Sequence, residues 1–110
     1  MANNFLNKKV DLTTTDLTVL YTVPAEATGL VKSILVSNDD ASNACEITIT
    51  LVNSGGTIFS LFKQKDIAAK TTTELLTQPL VVEESEVIKV QAENANDLHV
   101  VLSVLEVKRD

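Results

Sequence analysis

The segment CEITITLVN, residues 45–53, alternates almost without a break. Cys45, Ile47, Ile49 and Leu51 fall on one side, and Glu46, Thr48 and Thr50 on the other. A period of two belongs to a strand with one buried face and one wet face; a helix needs a period of 3.6. The threonines fit the strand, because a β-branched side chain packs well on a pleated surface. EVIKVQA repeats the pattern, with Ile88, Val90 and Ala92 inward and Val87, Lys89 and Gln91 outward.

Two further runs are apolar on both sides. LVKSILVS places Leu30, Ile34 and Val36 on one face with Lys32 in register, and Val31, Ser33 and Leu35 on the other. LHVVLSVLEV places Leu98, Val100, Leu102 and Val104 opposite His99, Val101, Ser103, Leu105 and Val107. A strand apolar on both faces is covered on both. In a small sandwich the second sheet supplies one cover, and a neighbouring subunit is a natural source of the other.

Turn chemistry separates these runs. Residues 38–43 (NDDASN), 53–56 (NSGG), 83–85 (EES) and 93–97 (ENAND) are rich in Asn, Asp, Ser and Gly, as tight hairpins require. Strands are expected near 5–12, 17–23, 29–37, 45–52, 57–63, 72–77, 80–82, 86–92 and 98–107. Pro24 has no N–H and cannot continue a central ladder, so LYTVPAEATG reads as a corner between two strands. Tyr21 is expected to be half-buried there, with its hydroxyl reaching water or backbone. The competing element is a helical turn near Asp66–Ala69, because Thr71-x-x-Glu74 has the capping-box spacing; three successive threonines oppose it. The expected fold is all-β: a single-domain antiparallel β-sandwich, jelly-roll-like or Ig-like, of about eight strands. Residues 1–12 form an N-terminal arm and first strand, and residues 13–110 the sandwich.

Composition excludes several classes. The net charge is −6, and the nine basic residues are scattered without interleaved aromatics, which disfavours nucleic-acid binding. No apolar run is long enough for a membrane helix. The single cysteine, Cys45, cannot close an intrachain disulfide or build a thiolate metal site alone. MANNFLNKKVDL has no apolar signal-peptide core, so synthesis and assembly in a cytoplasm are expected.

No catalytic, cofactor or metal site is expected. His99, Asp97 and Ser103 suggest a hydrolase triad, but strand positions 99 and 103 lie roughly 13 Å apart at about 3.3 Å per residue. Cys45 sits in an apolar row, which makes a buried, inert thiol of it. Asp39 and Asp40, with Asn38 and Asn43, carry calcium-type ligands, but turn chemistry explains the same residues and EF-hand spacing is missing. Glu83, Glu84 and Glu86 read as a solvated turn rather than paired glycosidase carboxylates, and Gly55-Gly56 lacks the rest of a phosphate loop. Three features point instead to assembly. They are Phe5 and Leu6 in the N-terminal arm, Phe59 and Phe62 on opposite faces of one strand, and the two doubly apolar strands. The candidate interface residues are therefore Phe5, Leu6, Phe59 and Phe62.

The order of motifs resembles that of small virion structural proteins of tailed bacteriophages. The likeness runs through Leu20-Tyr21-Thr22-Val23-Pro24-Ala25, the strand Val31–Asn38, the threonine-rich Thr71–Leu76, the Leu80–Glu84 turn and the closing Leu102–Val107. It covers roughly Leu17 to Val107. Two positions depart from it: glycine is expected after the acidic turn and in the proline corner, where this chain has Ser85 and Glu26. The resemblance implies a non-enzymatic capsid decoration (cement) protein, homo-oligomeric, bound to the major capsid protein and located in the virion. It equally accommodates an adaptor bound to neck or tail proteins. A carbohydrate-binding module is the alternative from another class, and the lack of Trp and the single Tyr count against it.

Overall fold

The computed structural model describes residues 2–109. Among them are nine strands and no helix: β1 (Ala2–Asp11), β2 (Thr18–Thr22), β3 (Ala27–Asn38), β4 (Cys45–Val52), β5 (Ile58–Ile67), β6 (Thr72–Glu74), β7 (Leu80–Val82), β8 (Val87–Ala92) and β9 (Leu98–Lys108). All pairings are antiparallel. Sheet A runs β1-β9-β3, and the far edge of β3 is shared by β6 at one end and β7 at the other. Sheet B runs β2-β8-β4-β5. With β6 and β7 counted as one broken strand, the two sheets are four strands wide and interleave as 1-9-3-(6,7) and 2-8-4-5. That order is the double Greek key of a jelly roll, one of the two sandwiches expected.

The period-two rows meet between the sheets. Ile47, Ile49, Ile88 and Val90 from sheet B face Val31, Ile34, Val36, Leu98, Val100 and Leu102 from sheet A, all fully buried. Each buried aliphatic side chain of this kind contributes about 1.5–3 kcal/mol against exposure. Val104 and Ala92 extend the same rows.

β-Bulges shift one expected face. In β3 the ladder to β9 slips between Val31 and Ser33, so Lys32 is an extra residue. One inserted residue reverses the parity of a strand. The inward set is therefore Val31, Ile34 and Val36, and Leu30 turns outward instead of joining Ile34.

The segment around Asp66–Ala69 is not a helical turn. β5 continues to Ile67, and the chain then turns at Ala69-Lys70, with Lys70 at φ 59°. Glu74 does not cap a helix. Its carboxylate accepts the Ser33 hydroxyl and the amides of Ile34 (2.8 Å) and Leu76 (3.1 Å), which fastens β6 to β3. Burial pushes this carboxyl up, but those donors outweigh it and hold it below the usual carboxylate value.

The proline corner takes its predicted place. β2 stops at Thr22, Val23 donates to Glu86 O at 3.0 Å, and β3 starts at Ala27. The two positions where glycine was expected, Glu26 and Ser85, both adopt left-handed backbone, at φ 63° and 67°. The turns thus keep the glycine conformation without the glycine. Glu26 N–H donates to Glu84 Oε2 at 3.0 Å, Ser85 N–H donates to Val23 O at 3.0 Å, and Arg109 reaches Glu84 at 2.6 Å. The Glu26 amide first, and then Arg109, hold the Glu84 carboxyl below its ordinary value.

Candidate interaction surface

The outer face of sheet A carries an apolar row built by register alone. Phe5 of β1 lies opposite Leu105 of β9, Leu105 opposite Leu30 of β3, and Leu30 opposite Val81 of β7. Directly opposed residues share a face, so four strands place four apolar side chains in line across roughly 14 Å. Phe5 is 78% exposed and Val81 57%, while Leu30 and Leu105 are half-buried. Val107 flanks the row beside Leu105 on the same strand face. Two residues toward the other end, Ser33, Ser103 and Asn7 interrupt the apolar surface, and it resumes with Leu35 and Val101. An exposed apolar row of this kind is a candidate contact surface.

The four candidate interface residues are divided by the fold. Phe5 stands on this outer face, whereas Leu6, its neighbour, turns inward and packs half-buried on the core. Of residues 1–12, expected as an N-terminal arm and first strand, Ala2–Asp11 form a strand of sheet A paired with β9 at every residue, and Met1 lies outside the described residues. Phe59 and Phe62 do not point to opposite faces. Phe59 lies opposite Leu51 and Phe62 opposite Ile49, both inward residues, because the β4–β5 ladder slips and leaves Leu61 as the extra residue. Phe62 consequently packs on the core, and Phe59 remains half-exposed beside Ile58 at the turn end of the β4–β5 hairpin. The structure therefore separates Phe5 from Phe59, on different sheets. Val81 is the member of the sheet A row that the sequence reading missed. Its segment reads as a three-residue strand with no pattern to assign a face.

His99 occupies one end of the same outer face. Its Nε2 lies 3.2 Å from Asp11 Oδ1 and its Nδ1 3.2 Å from Asp39 Oδ2, which ties β1, β9 and the loop after β3 together. Asp97 and Ser103 are not its partners. Cys45 is fully buried in the core, and burial pushes its thiol up, which disfavours the thiolate. The Asp40 carboxylate is engaged by the amides of Ser42 (2.8 Å) and Asn43 (2.9 Å), which hold it below its ordinary value. The buried Asn38 side chain closes this loop by donating to Asn43 O and Ile67 O. Among the described residues no cluster of three or more His, Cys, Asp or Glu side chains has metal-binding geometry. A polar groove lined by Thr15, Glu46, Thr48, Gln64, Gln91 and Glu93 lies elsewhere. Burial first, and then the charges of Glu93 and Asp66, push the Glu46 carboxyl up.

One buried polar pair stands out. Tyr21 is 2% exposed, not half-buried, and its hydroxyl donates to Glu106 Oε2 at 2.8 Å. Glu106 is itself 8% exposed. Tyr21 lies flat against β3, where a Cβ on Gly29 would stand 2.9 Å from its hydroxyl oxygen. Lys8 Nζ is 5.9 Å from the ring centre.

No known protein-family model matches the chain, and no curated protein sequence matches it. Among solved structures, it is similar to a pentameric capsid protein isolated from metagenomic phage sequences. The TM-score is 0.47 and the identity 19%, over 96% of this chain and 62% of that one. It is also similar to the structure of infectious bursal disease virus, Gt strain, with a TM-score of 0.45 and 9% identity, over 98% of this chain and 31% of that one. This chain thus spans less than two thirds of the length of either. Likenesses this distant carry no argument about what the chain does.

Proposed function

We propose that this chain is a non-enzymatic structural protein of a bacteriophage virion that decorates the capsid shell, binding major capsid protein through the outer face of sheet A. The observation that carries the reading is the row Phe5–Leu105–Leu30–Val81: apolar side chains from four strands, aligned on a rigid sheet, with Phe5 78% exposed. An aromatic and branched aliphatics on a fixed platform match the core of a protein–protein contact. The motif order from Leu20 to Val107 supports the same class. The jelly-roll order agrees with it by analogy only, since that fold also hosts lectins and cupins. The same face would serve a neck or tail adaptor equally well, and the two roles differ in stoichiometry.

The test is the copy number of the chain in purified virions of the phage that encodes it, measured against major capsid protein by quantitative mass spectrometry. A decoration protein is present at about one copy per shell subunit, following the symmetry of the shell. About a dozen copies would move the protein to the neck or tail. Absence from the particle would refute both. Phe5→Ser should leave the purified chain folded and lower its occupancy on the particle.

A further inference from the structure

The edges of the two sheets are not treated alike. β2 is five residues long and bulged between Val19 and Tyr21. β5 is irregular at two places in its ladder and has Gln64 at φ 52°. β6 and β7 have three residues each, and Pro79 precedes β7. Short strands, bulges and proline all blunt an edge against further pairing. β1 is long and has neither bulge nor proline: its ten residues pair with β9 in unbroken register, Lys8 and Lys9 are its only charges before Asp11, and among the described residues no strand pairs with its other edge.

The open groups can be named. Leu12 N–H donates to Leu98 O, continuing the β1–β9 register. Hydrogen-bonded pairs alternate along an antiparallel ladder, so Leu6, Lys8 and Val10 take the bonds to β9. The N–H and C=O groups of Asn3, Phe5, Asn7 and Lys9 point out of the edge, unpaired by strand.

We infer that β1 pairs antiparallel with β1 of a second copy of this chain, about a two-fold axis through Leu6, joining two A sheets into one. The register follows from complementarity. Centred on Leu6, the pairing sets Leu6 on Leu6, Ala2 on Val10, Asn4 on Lys8 and Asn3 on Lys9 of the second copy. Phe5 lies across from Asn7 and diagonal to the second Phe5, within the reach of aromatic side chains. No like charges face one another, and nine residues pair. A shift of two residues one way sets Lys8 on Leu6 and Lys9 on Phe5. A shift of four sets Lys8 on Lys8. Moving the other way shortens the ladder. An isologous contact of this kind closes after two copies. It concerns the edge of the sheet rather than its face, so it stands apart from the shell-binding reading.

The experiment uses the purified full chain without any particle. Sedimentation equilibrium should show a dimer, and Asn7→Pro should shift it to monomer. That proline removes only an edge N–H and takes no bond from β9. Leu6→Cys provides a second readout. Residue 6 would form a non-hydrogen-bonded pair with its own copy, with Cα atoms about 4.5 Å apart, inside the range a disulfide spans. Mild oxidation should give a covalent dimer of Leu6→Cys, whereas Lys8→Cys, displaced along the strand, should form no covalent dimer under the same treatment. A monomeric wild type, a dimer indifferent to Asn7→Pro, or equal cross-linking at positions 6 and 8 would overturn the inference, whatever the copy number in the virion.

Discussion

Tyr21→Phe removes a single hydroxyl, and the structure sets its cost. The bond to Glu106 is 2.8 Å long, and both residues are buried, at 2% and 8% exposure. A hydrogen bond to a charged partner contributes about 1.5–3 kcal/mol, so the variant should lose about 2 kcal/mol near neutral pH. A domain of this size has about 5–15 kcal/mol in all, which makes the loss easy to measure. Urea unfolding should show a lower midpoint at unchanged slope. The alkaline arm is the sharper part. Burial first, and then the hydrogen bond and charge of Glu106, push the Tyr21 hydroxyl well above its ordinary value of 10.0. A group whose pKa is raised by folding stabilises fully below its unfolded value, and that contribution is lost as pH rises toward the folded value. Above 10.0 the unfolded chain gives up the proton and the folded chain keeps it. At about pH 11 the wild type should therefore have lost about 1.4 kcal/mol through this group alone. Tyr21→Phe has no such term, so the gap between the two proteins should narrow from about 2 to below about 1 kcal/mol. Tyr21 is the only tyrosine, so phenolate absorbance reads the same event directly and should appear only as the protein unfolds. An equal gap at both pH values, or phenolate absorbance from the folded protein near 10.0, would refute the reasoning.

Gly29→Ala should destabilise by about 1–3 kcal/mol in urea unfolding, because the new methyl meets the Tyr21 hydroxyl at 2.9 Å and Cε2 at 3.0 Å. Its cost should fall in a Tyr21→Phe background, where the nearer contact is gone, and strict additivity would show that the ring is not the obstacle. Ser85→Gly should stabilise by about 0.5–1 kcal/mol, since a left-handed conformation costs an L-residue about 1–2 kcal/mol and glycine returns part of that gain as unfolded-chain entropy. An unchanged or lower thermal midpoint for Ser85→Gly would mean that the Ser85 side chain offsets its own backbone strain.

Alternation was legible where the ladders are regular. In β4, β8 and β9 the inward rows read from the sequence are the rows found in the core. It failed at Lys32 and Leu61, where one extra residue reversed the parity downstream. Neither position is a glycine, and a bulge made from ordinary residues leaves no mark in the local pattern. The apolar character of β3 and β9 on both faces was visible, but the row linking Phe5 to Val81 was not. That row exists only through the register of four strands distant in sequence. The Tyr21–Glu106 bond was hidden for the same reason: alternation carries Glu106 to the face of Leu102 and Val104, but 85 positions separate it from Tyr21 and nothing local names the partner.

The proline corner gives these findings a common place. Glu106 and Gly29 face the inside of sheet A, and Leu105 and Leu30, one residue away on the same strands, face the outside. The inner layer at this level is Tyr21, wedged on Gly29 and bonded to Glu106. Below it the corner is tied by Glu84, Arg109 and the amides of Glu26 and Ser85. The Tyr21–Glu106–Gly29 contact thus lies directly behind the apolar row of Phe5, Leu105, Leu30 and Val81. A contact surface that does not rearrange keeps more of its interaction energy on binding, because less ordering remains to be done. The corner's two left-handed turns and its buried tyrosine brace β3 and β9 where Leu30 and Leu105 face outward.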